Sequence, residues 1–284
     1  HCGPAITWEA MCDPLRRSVT AAVVAEGWCA DVDAAAAAVV AGDVGLGAAN
    51  EHATVVPMAT AIGPSSPVYV VCNEAGATES FSSINQGSGK APWFGVNSPE
   101  AIERLRFVRD VVGPVLAGAL AAKGPVDVFS LAAQGVPMGD DVHMRVQATT
   151  NLFLRDLLPF LVRSDHPGAG DAATFLAGNH LLFLNVAMAA AKSLVMWAGA
   201  VTGSSIVTTM ARNGTTYGIR LPDHDKWFVT DSPPIQDALY YPGQGPATSA
   251  PDIGDSAVLE LVGLGGPAAA NSPAVAGFLG GYLA

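Results

Sequence analysis

The chain has 284 residues, half of them apolar and only 14% charged, with a formal net charge of −11. So much apolar content with so little charge excludes a disordered chain and supplies enough material for one hydrophobic core or two. The acidic balance, with no basic cluster beyond Arg16-Arg17, excludes a nucleic-acid binder, because phosphate backbones select basic patches.

Four cysteines, Cys2, Cys12, Cys29 and Cys72, form no CxxC pair. Neither a disulfide framework nor a zinc site is expected. They read as reduced core thiols of a cytoplasmic protein, with a reactive thiol at Cys2 or Cys12 as a lesser option. The uncharged runs 172–191 and 193–211 are broken by Asn179, His180, Asn185, glycines and hydroxyls, which are costly in lipid. Buried helices are therefore expected in place of membrane spans. No signal peptide is expected, and the chain opens on His1 without methionine, which points to processing or to a missing N-terminal part.

In chain order, Thr7 is placed to cap a helix carrying Glu9 and Ala10, expected to break at Pro14 and to resume as far as Gly27. Asp31 or Asp33 caps a second helix over 31–41, stopped by Gly42. Between 43 and 97, glycines and prolines alternate with short apolar runs, of which 68–72 is the clearest strand. Ser98-Pro99-Glu100 opens a helix to about Val112, Gly113-Pro114 interrupts it, and a further helix runs to Lys123. A short helix over 126–135, a long one over 140–163 and another from Asp171 to about Ala200 follow.

Beyond them, β-branched residues over 205–210 and the runs 217–220 and 226–229, around Pro222-Asp223, predict strands. A tail over 242–284, rich in glycine, proline and alanine, carries one helix near 256–262. This order predicts an α+β fold, in sheet-containing lobes with a helical insertion. An α/β lobe over 1–97 comes first, then the insertion over about 98–200, then a β-rich part over 201–284 that completes the domain.

Six segments set polar residues among tight-turn glycines in apolar surroundings, where a buried polar group needs a partner or a purpose. Gly87-Ser88-Gly89-Lys90, after Asn85 and Gln86, suits a phosphate or carboxylate, or is an ordinary turn with a solvated lysine. It is not a P-loop, because Lys90 is followed by Ala91. Arg212-Asn213-Gly214 follows a strand, so Arg212 can grip an anion or sit exposed on a hairpin. Asn179, His180 and Asn185 lie in an apolar helical stretch, with Lys192 two turns on from Asn185; His180 alone reads as a satisfied core histidine. Asp140 to Arg145 is a helix start that brings His143 and Arg145 to an anion, or only an acidic first turn. Glu51-His52 and Pro251-Asp252-Ile253-Gly254-Asp255-Ser256 complete the set; in the latter two aspartates can bind a cation, though capping alone explains them. HExxH, EF-hand, CxxC, GxSxG and GxGxxG patterns are all missing, so no metal or other cofactor is expected.

The stretches Gly3-Pro4-Ala5-Ile6-Thr7-Trp8-Glu9, Gly87-Ser88-Gly89-Lys90, Ala177-Gly178-Asn179 with Phe183-Leu184-Asn185, Met210 to Thr215, and Pro251 to Ser256 resemble, in this order, a bacterial domain family of unknown function. One branch of that family is the large subunit of oxamate carbamoyltransferase of anaerobic allantoin breakdown. The resemblance spans nearly the whole chain and implies an α+β fold with a helical insert. It implies conversion of oxalurate and phosphate to oxamate and carbamoyl phosphate, or the reverse, together with partner subunits and a homo-oligomer. It also implies a further N-terminal α/β region that is missing from this sequence.

One departure is Val55-Val56 before Pro57-Met58, where the family often shows Val-Gly and more histidines, which allows a different substrate. Under this resemblance Arg212 and Lys90 hold phosphate or the substrate carboxylate. Asn179, Asn185 and Asn213 hydrogen-bond the amide groups, and His143 is the proton donor with Arg145 nearby. Asn85, Glu51, His52 and Asp252 complete the substrate-binding candidates. Two other readings fit the same residues: an amide or ureido hydrolase that uses water in place of phosphate, and a non-catalytic subunit whose grooves bind a partner chain.

Overall fold

The computed structural model describes residues 1–222, 224, 226–233, 240, 243, 245–247 and 249–272; Asp223 of the expected turn and 273–284 of the tail lie outside the described residues. Helix α1 (Asp13–Ala25) carries Pro14 in its first turn. Proline does not break the helix there, because an N–H at that position has no intrahelical partner and the fixed φ already suits a helix. The residues ahead of it form only a 3-10 turn, Trp8–Ala10, and the Thr7 side chain makes no capping bond. Helix α2 (Val32–Ala41) is capped by Asp31, which accepts the Ala34 N–H at 2.8 Å, and stops at Gly42, whose φ is 82°. Asp31→Ala should cost about 1 kcal/mol, read as a lower urea midpoint with unchanged slope.

Helix α3 (Pro99–Phe107) begins at Ser98, whose hydroxyl accepts the Ala101 N–H. The interruption expected at Gly113-Pro114 is not an interruption. Val108–Val112 forms a π turn and α4 (Gly113–Lys123) runs on from it. The wider turn removes the clash of the Pro114 ring with the carbonyl one turn back. Gly113 is needed on its other side, since a Cβ there would lie 2.8 Å from Pro67 Cβ.

Helix α5 (Val128–Gly135) is capped by Asp127. Helix α6 spans Gln147–Leu161, starting seven residues after the expected start at 140. Residues 140–146 instead form a loop, held by Asp140 and Asp141 (below). The helix expected from Asp171 to Ala200 is two helices, α7 (Ala169–Ala177) and α8 (Leu182–Gly199). The break falls at Asn179, whose side-chain oxygen accepts the Leu181 N–H, so the amide competes with the helical ladder.

The first sheet holds β1 (Thr54–Val55), β2 (Val68–Asn73) and β3 (Thr78–Ser83) in the order β1-β3-β2, with β1 parallel and β2 antiparallel to β3. The second holds β4 (Thr209–Asn213), β5 (Thr216–Arg220), β6 (Phe228–Asp231) and β7 (Ile253–Gly254), antiparallel, in the order β6-β5-β4-β7. The fold is α+β. The main core joins Val55, Tyr69 and Ile84 of the first sheet and its flanks to Leu116, Phe153, Leu157, Phe183 and Met188 of the helices and to Val258 and Leu259. A second cluster, with Leu15, Val19, Val23, Val39, Val56 and Ile102, seats α1 and α2.

Among the described residues, α8 is long and apolar enough to cross a membrane, as is the sharply bent pair Pro99–Lys123 with Val128–Met138 if counted as one span. The α8 stretch is 72% buried inside the molecule, as a core helix is. The cysteines divide: Cys2 is buried and Cys12 and Cys29 are half-buried, but Cys72 is exposed and is no core thiol. Strand alternation puts Cys72 on the outward face of β2 with Val68 and Val70.

Candidate functional site

Because β1 and β3 run parallel, the segments that leave them, Val56-Pro57-Met58 and Ile84-Asn85-Gln86-Gly87, lie at one end of the first sheet. Asn85, Asn179 and Asn185 meet there, all buried. Asn85 Nδ2 donates to Asn185 Oδ1 at 3.1 Å, Asn185 Nδ2 to the Ser83 carbonyl at 2.6 Å, and Asn179 Nδ2 to the Asn85 carbonyl at 3.0 Å. Asn85 Oδ1 also accepts the Gly87 N–H. The three amides thus clamp the start of α8 to the end of β3. The neighbouring Gly87–Lys90 turn is held by Arg104, which donates to the Gln86 and Ser88 carbonyls. Lys90 itself is exposed and pairs with Glu100 at 3.1 Å, away from the asparagines' bonds. His180, exposed, offers its carbonyl to Thr150.

The 140–146 loop is built around two buried carboxylates. Asp140 accepts the N–H groups of Ala148 and Thr149 and the Thr149 hydroxyl, and so caps α6 from a distance. Asp141 Oδ1 accepts the N–H groups of His143 and Arg145. Between Asp141 and His143, Val142 is fully buried with φ +60°, a costly conformation for a β-branched residue. His143 Nδ1 lies 2.9 Å from Glu260 Oε1, and Glu260 Oε2 accepts the Gly266 N–H at 2.9 Å. Arg145 is exposed and projects from the same loop. Glu260 was invisible in the sequence: in Ala257-Val258-Leu259-Glu260-Leu261-Val262 it reads as the solvent side of a helix.

Arg212, Asn213 and Asp252 meet where β4 pairs with β7. Arg212 Nε lies 3.3 Å from Asp252 Oδ2, an ion pair by distance but too bent for a hydrogen bond, and Nε is buried without another partner among the described residues. Asn213 is fully buried and builds the hairpin: its side chain accepts the N–H groups of Thr215 and Thr216 and donates to the Pro4 carbonyl. Glu51 and His52 are exposed on a 3-10 turn, where Glu51 accepts the Trp227 indole N–H. The eleven predicted residues therefore fall into separate groups: the asparagine clamp, the His143 loop, the β4 end, the Glu51 turn and the Lys90 turn.

Two further buried charges join the sheets. Asp255 has no exposed surface and accepts the N–H groups of Gly3 at 2.7 Å and Val56 at 3.0 Å. Burial lifts its carboxyl from the ordinary 3.8 to about 6, against those hydrogen bonds and the pull of Lys192. Lys192, on α8, donates to the Thr209 hydroxyl at 2.8 Å; burial brings it from 10.5 to about 8. Among the described residues no group of three His, Cys, Asp or Glu side chains could hold a metal ion. A recess of about 970 Å³ opens between β2, α8 and the α4–α5 connection, lined by Val71, Val126, Phe129, Leu194 and Trp197 among others. It contains none of the predicted polar groups.

The family model of oxamate carbamoyltransferase subunit AllG matches residues 44–256. The oxamate carbamoyltransferase subunit AllG of Escherichia coli (strain K12) is 34% identical over 284 residues, which takes in 99% of this chain and 68% of that protein. The chain belongs to the AllG family. The uncharacterized protein YahG of the same organism is 33% identical over 286 residues, and this chain spans only 60% of its length. A crystal structure of a conserved protein of unknown function from Enterococcus faecalis V583 superposes with a TM-score of 0.92 at 31% identity, over 99% of this chain and 70% of that one. The matched AllG region includes every predicted site residue and Asp255, while Glu260 lies just beyond its end.

Proposed function

We propose that this AllG-family chain is a carbamoyltransferase subunit, acting with partner subunits in the cytoplasm on oxalurate and oxamate or a related ureido compound, with phosphate and carbamoyl phosphate as the other pair. The observation that carries the proposal is the match to an oxamate carbamoyltransferase subunit over 99% of the chain. The reaction needs positioning, anion neutralisation and proton transfer more than a protein nucleophile. A phosphate oxygen bonds to the carbamoyl carbon, the bond from that carbon to the oxamate nitrogen breaks, and the nitrogen gains the proton that hydrogen phosphate loses.

In this reading His143 carries that proton and Arg212 neutralises the anion, with Asp252 yielding its place as the anion arrives. The asparagine clamp keeps the β3–α8 junction rigid. Incubating the purified chain, alone and with its partner subunits, with oxalurate and phosphate tests the proposal by product analysis. Phosphate-dependent release of oxamate and carbamoyl phosphate supports it; release of ammonia or carbamate without phosphate would replace it with a hydrolase. Arg212→Ala is expected to lower turnover about 10²-fold or more with an unchanged melting profile; unchanged turnover removes Arg212 from the site.

A further inference from the structure

We infer that Glu260 is the positioning residue of an acid–base pair, which holds the His143 imidazole with a proton on Nδ1 and so makes Nε2 the nitrogen that meets the substrate. The identity of that substrate rests on the carbamoyl-transfer reading; the pair itself rests on geometry. Glu260 receives His143 Nδ1 on one oxygen at 2.9 Å and the Gly266 N–H on the other at 2.9 Å. Both carboxylate oxygens are therefore occupied and the group cannot turn away. The backbone is shaped to this carboxylate: Gly265 has φ +70°, and a Cβ on it would lie 1.9 Å from Glu260 Oε1. The Gly265 N–H in turn donates to the Asp141 carbonyl at 2.7 Å, which ties the histidine's loop to the glutamate's.

The histidine is over-determined from its own side as well. Its N–H is held by Asp141 Oδ1 at 2.7 Å, and the strained, fully buried Val142 precedes it. Strain of this kind persists only where the surroundings enforce it, and it gathers at working sites. The charged groups on the two facing segments are Asp140, Asp141, Arg145 and Glu260. The Asp140 and Asp141 carboxylates are taken up by main-chain N–H groups, so Glu260 is the carboxylate that faces the imidazole. With Nδ1–H donated to Glu260, Nε2 has no hydrogen bond among the described residues and is the ring's acceptor. Nε2 is then the atom that takes a proton from hydrogen phosphate and returns it to the leaving nitrogen.

The test compares wild type with Glu260→Gln, which keeps an acceptor for one of the two N–H groups and removes the charge, and with Glu260→Ala. Two readouts are taken: histidine 15N NMR of the folded chain, and kcat/KM for oxalurate phosphorolysis in the assembled enzyme. Wild type should show the Nδ1–H tautomer. Glu260→Ala should lose that preference and populate the Nε2–H tautomer as well. Glu260→Ala should cost about 10²-fold in kcat/KM, and Glu260→Gln should recover part of it. An Nε2–H tautomer in wild type, or an Nδ1–H preference that Glu260→Ala leaves unchanged, overturns the pair. A changed tautomer with an unchanged kcat/KM in Glu260→Ala overturns its role in proton transfer. If no substrate turns over at all, the carbamoyl-transfer reading and the role in catalysis both fail, and the NMR result alone decides whether Glu260 positions His143.

Discussion

Asn185→Ala is expected to lower folding stability by about 3 kcal/mol, seen as a reduced denaturant midpoint at constant slope. Asn185 has no exposed surface, and its amide is the hub of the clamp: it accepts from Asn85 and donates to the Ser83 carbonyl. Truncation strands Asn85 Nδ2 and that carbonyl in the interior, and each stranded buried group costs about 1–3 kcal/mol. Asn185→Leu should be no better, because the polar partners remain and the branched side chain must also fit among buried neighbours. Asn85→Ala and the double variant complete a cycle: the double should cost less than the two singles together, since each single variant orphans the other's amide. A loss below about 1 kcal/mol in Asn185→Ala, or strict additivity in the cycle, would show that the clamp carries no shared energy.

Local chemistry made much of the fold legible. Asp31, Ser98 and Asp127 each cap a helix through a bond to the third residue on. Of these, Asp31 and Ser98 could be named from the residue and its neighbours, as could the stop at Gly42 and the hairpin at Asn213-Gly214. The failures share a cause. Pro14, Gly113-Pro114 and Asn179 are ambiguous punctuation: whether proline opens, bends or breaks a helix depends on which carbonyl it faces, and whether asparagine stays in a helix depends on the bond its amide finds.

The site was less legible because its partners are remote in sequence. Asn85 and Asn185 are 100 residues apart, His143 and Glu260 are 117, and Gly3 and Asp255 are 252. The type of residue suggested a purpose for the asparagines and for His143. Nothing local marked Glu260, or told Asp255, buried and shared between two N–H groups, from Asp252, exposed and paired with Arg212.

The second large effect is a pH dependence with an unusual sign. Asp255 has its folded pKa raised, from 3.8 to about 6, with burial as the main cause. A carboxyl of this kind binds more protons folded than unfolded between those values. Its contribution to stability is therefore fully present below about pH 4 and lost as pH rises through 6, opposite to a salt-bridged carboxylate. At about 1.4 kcal/mol per pH unit, the gap is worth about 3 kcal/mol. Stability measured by urea titration across pH 4–7 should show wild type losing about that much relative to Asp255→Asn, which cannot ionise. The asparagine variant should carry its own fixed penalty, because Gly3 and Val56 donate to different carboxylate oxygens and an amide nitrogen, which cannot accept, replaces one of them.

Lys192 works in the other direction. Its folded pKa is lowered to about 8, so its burial cost is relieved as pH climbs from 8 toward 10.5. Between pH 6 and 8 both groups are charged and buried, and their mutual attraction offsets part of the desolvation. Lys192→Met should then remove the alkaline recovery and move the Asp255 transition to higher pH, since a cation that favours the carboxylate has gone. Parallel pH curves for wild type and Asp255→Asn between 4 and 6 would mean that Asp255 is ionised throughout that range. The N–H groups of Gly3 and Val56 would then outweigh the burial of the charge.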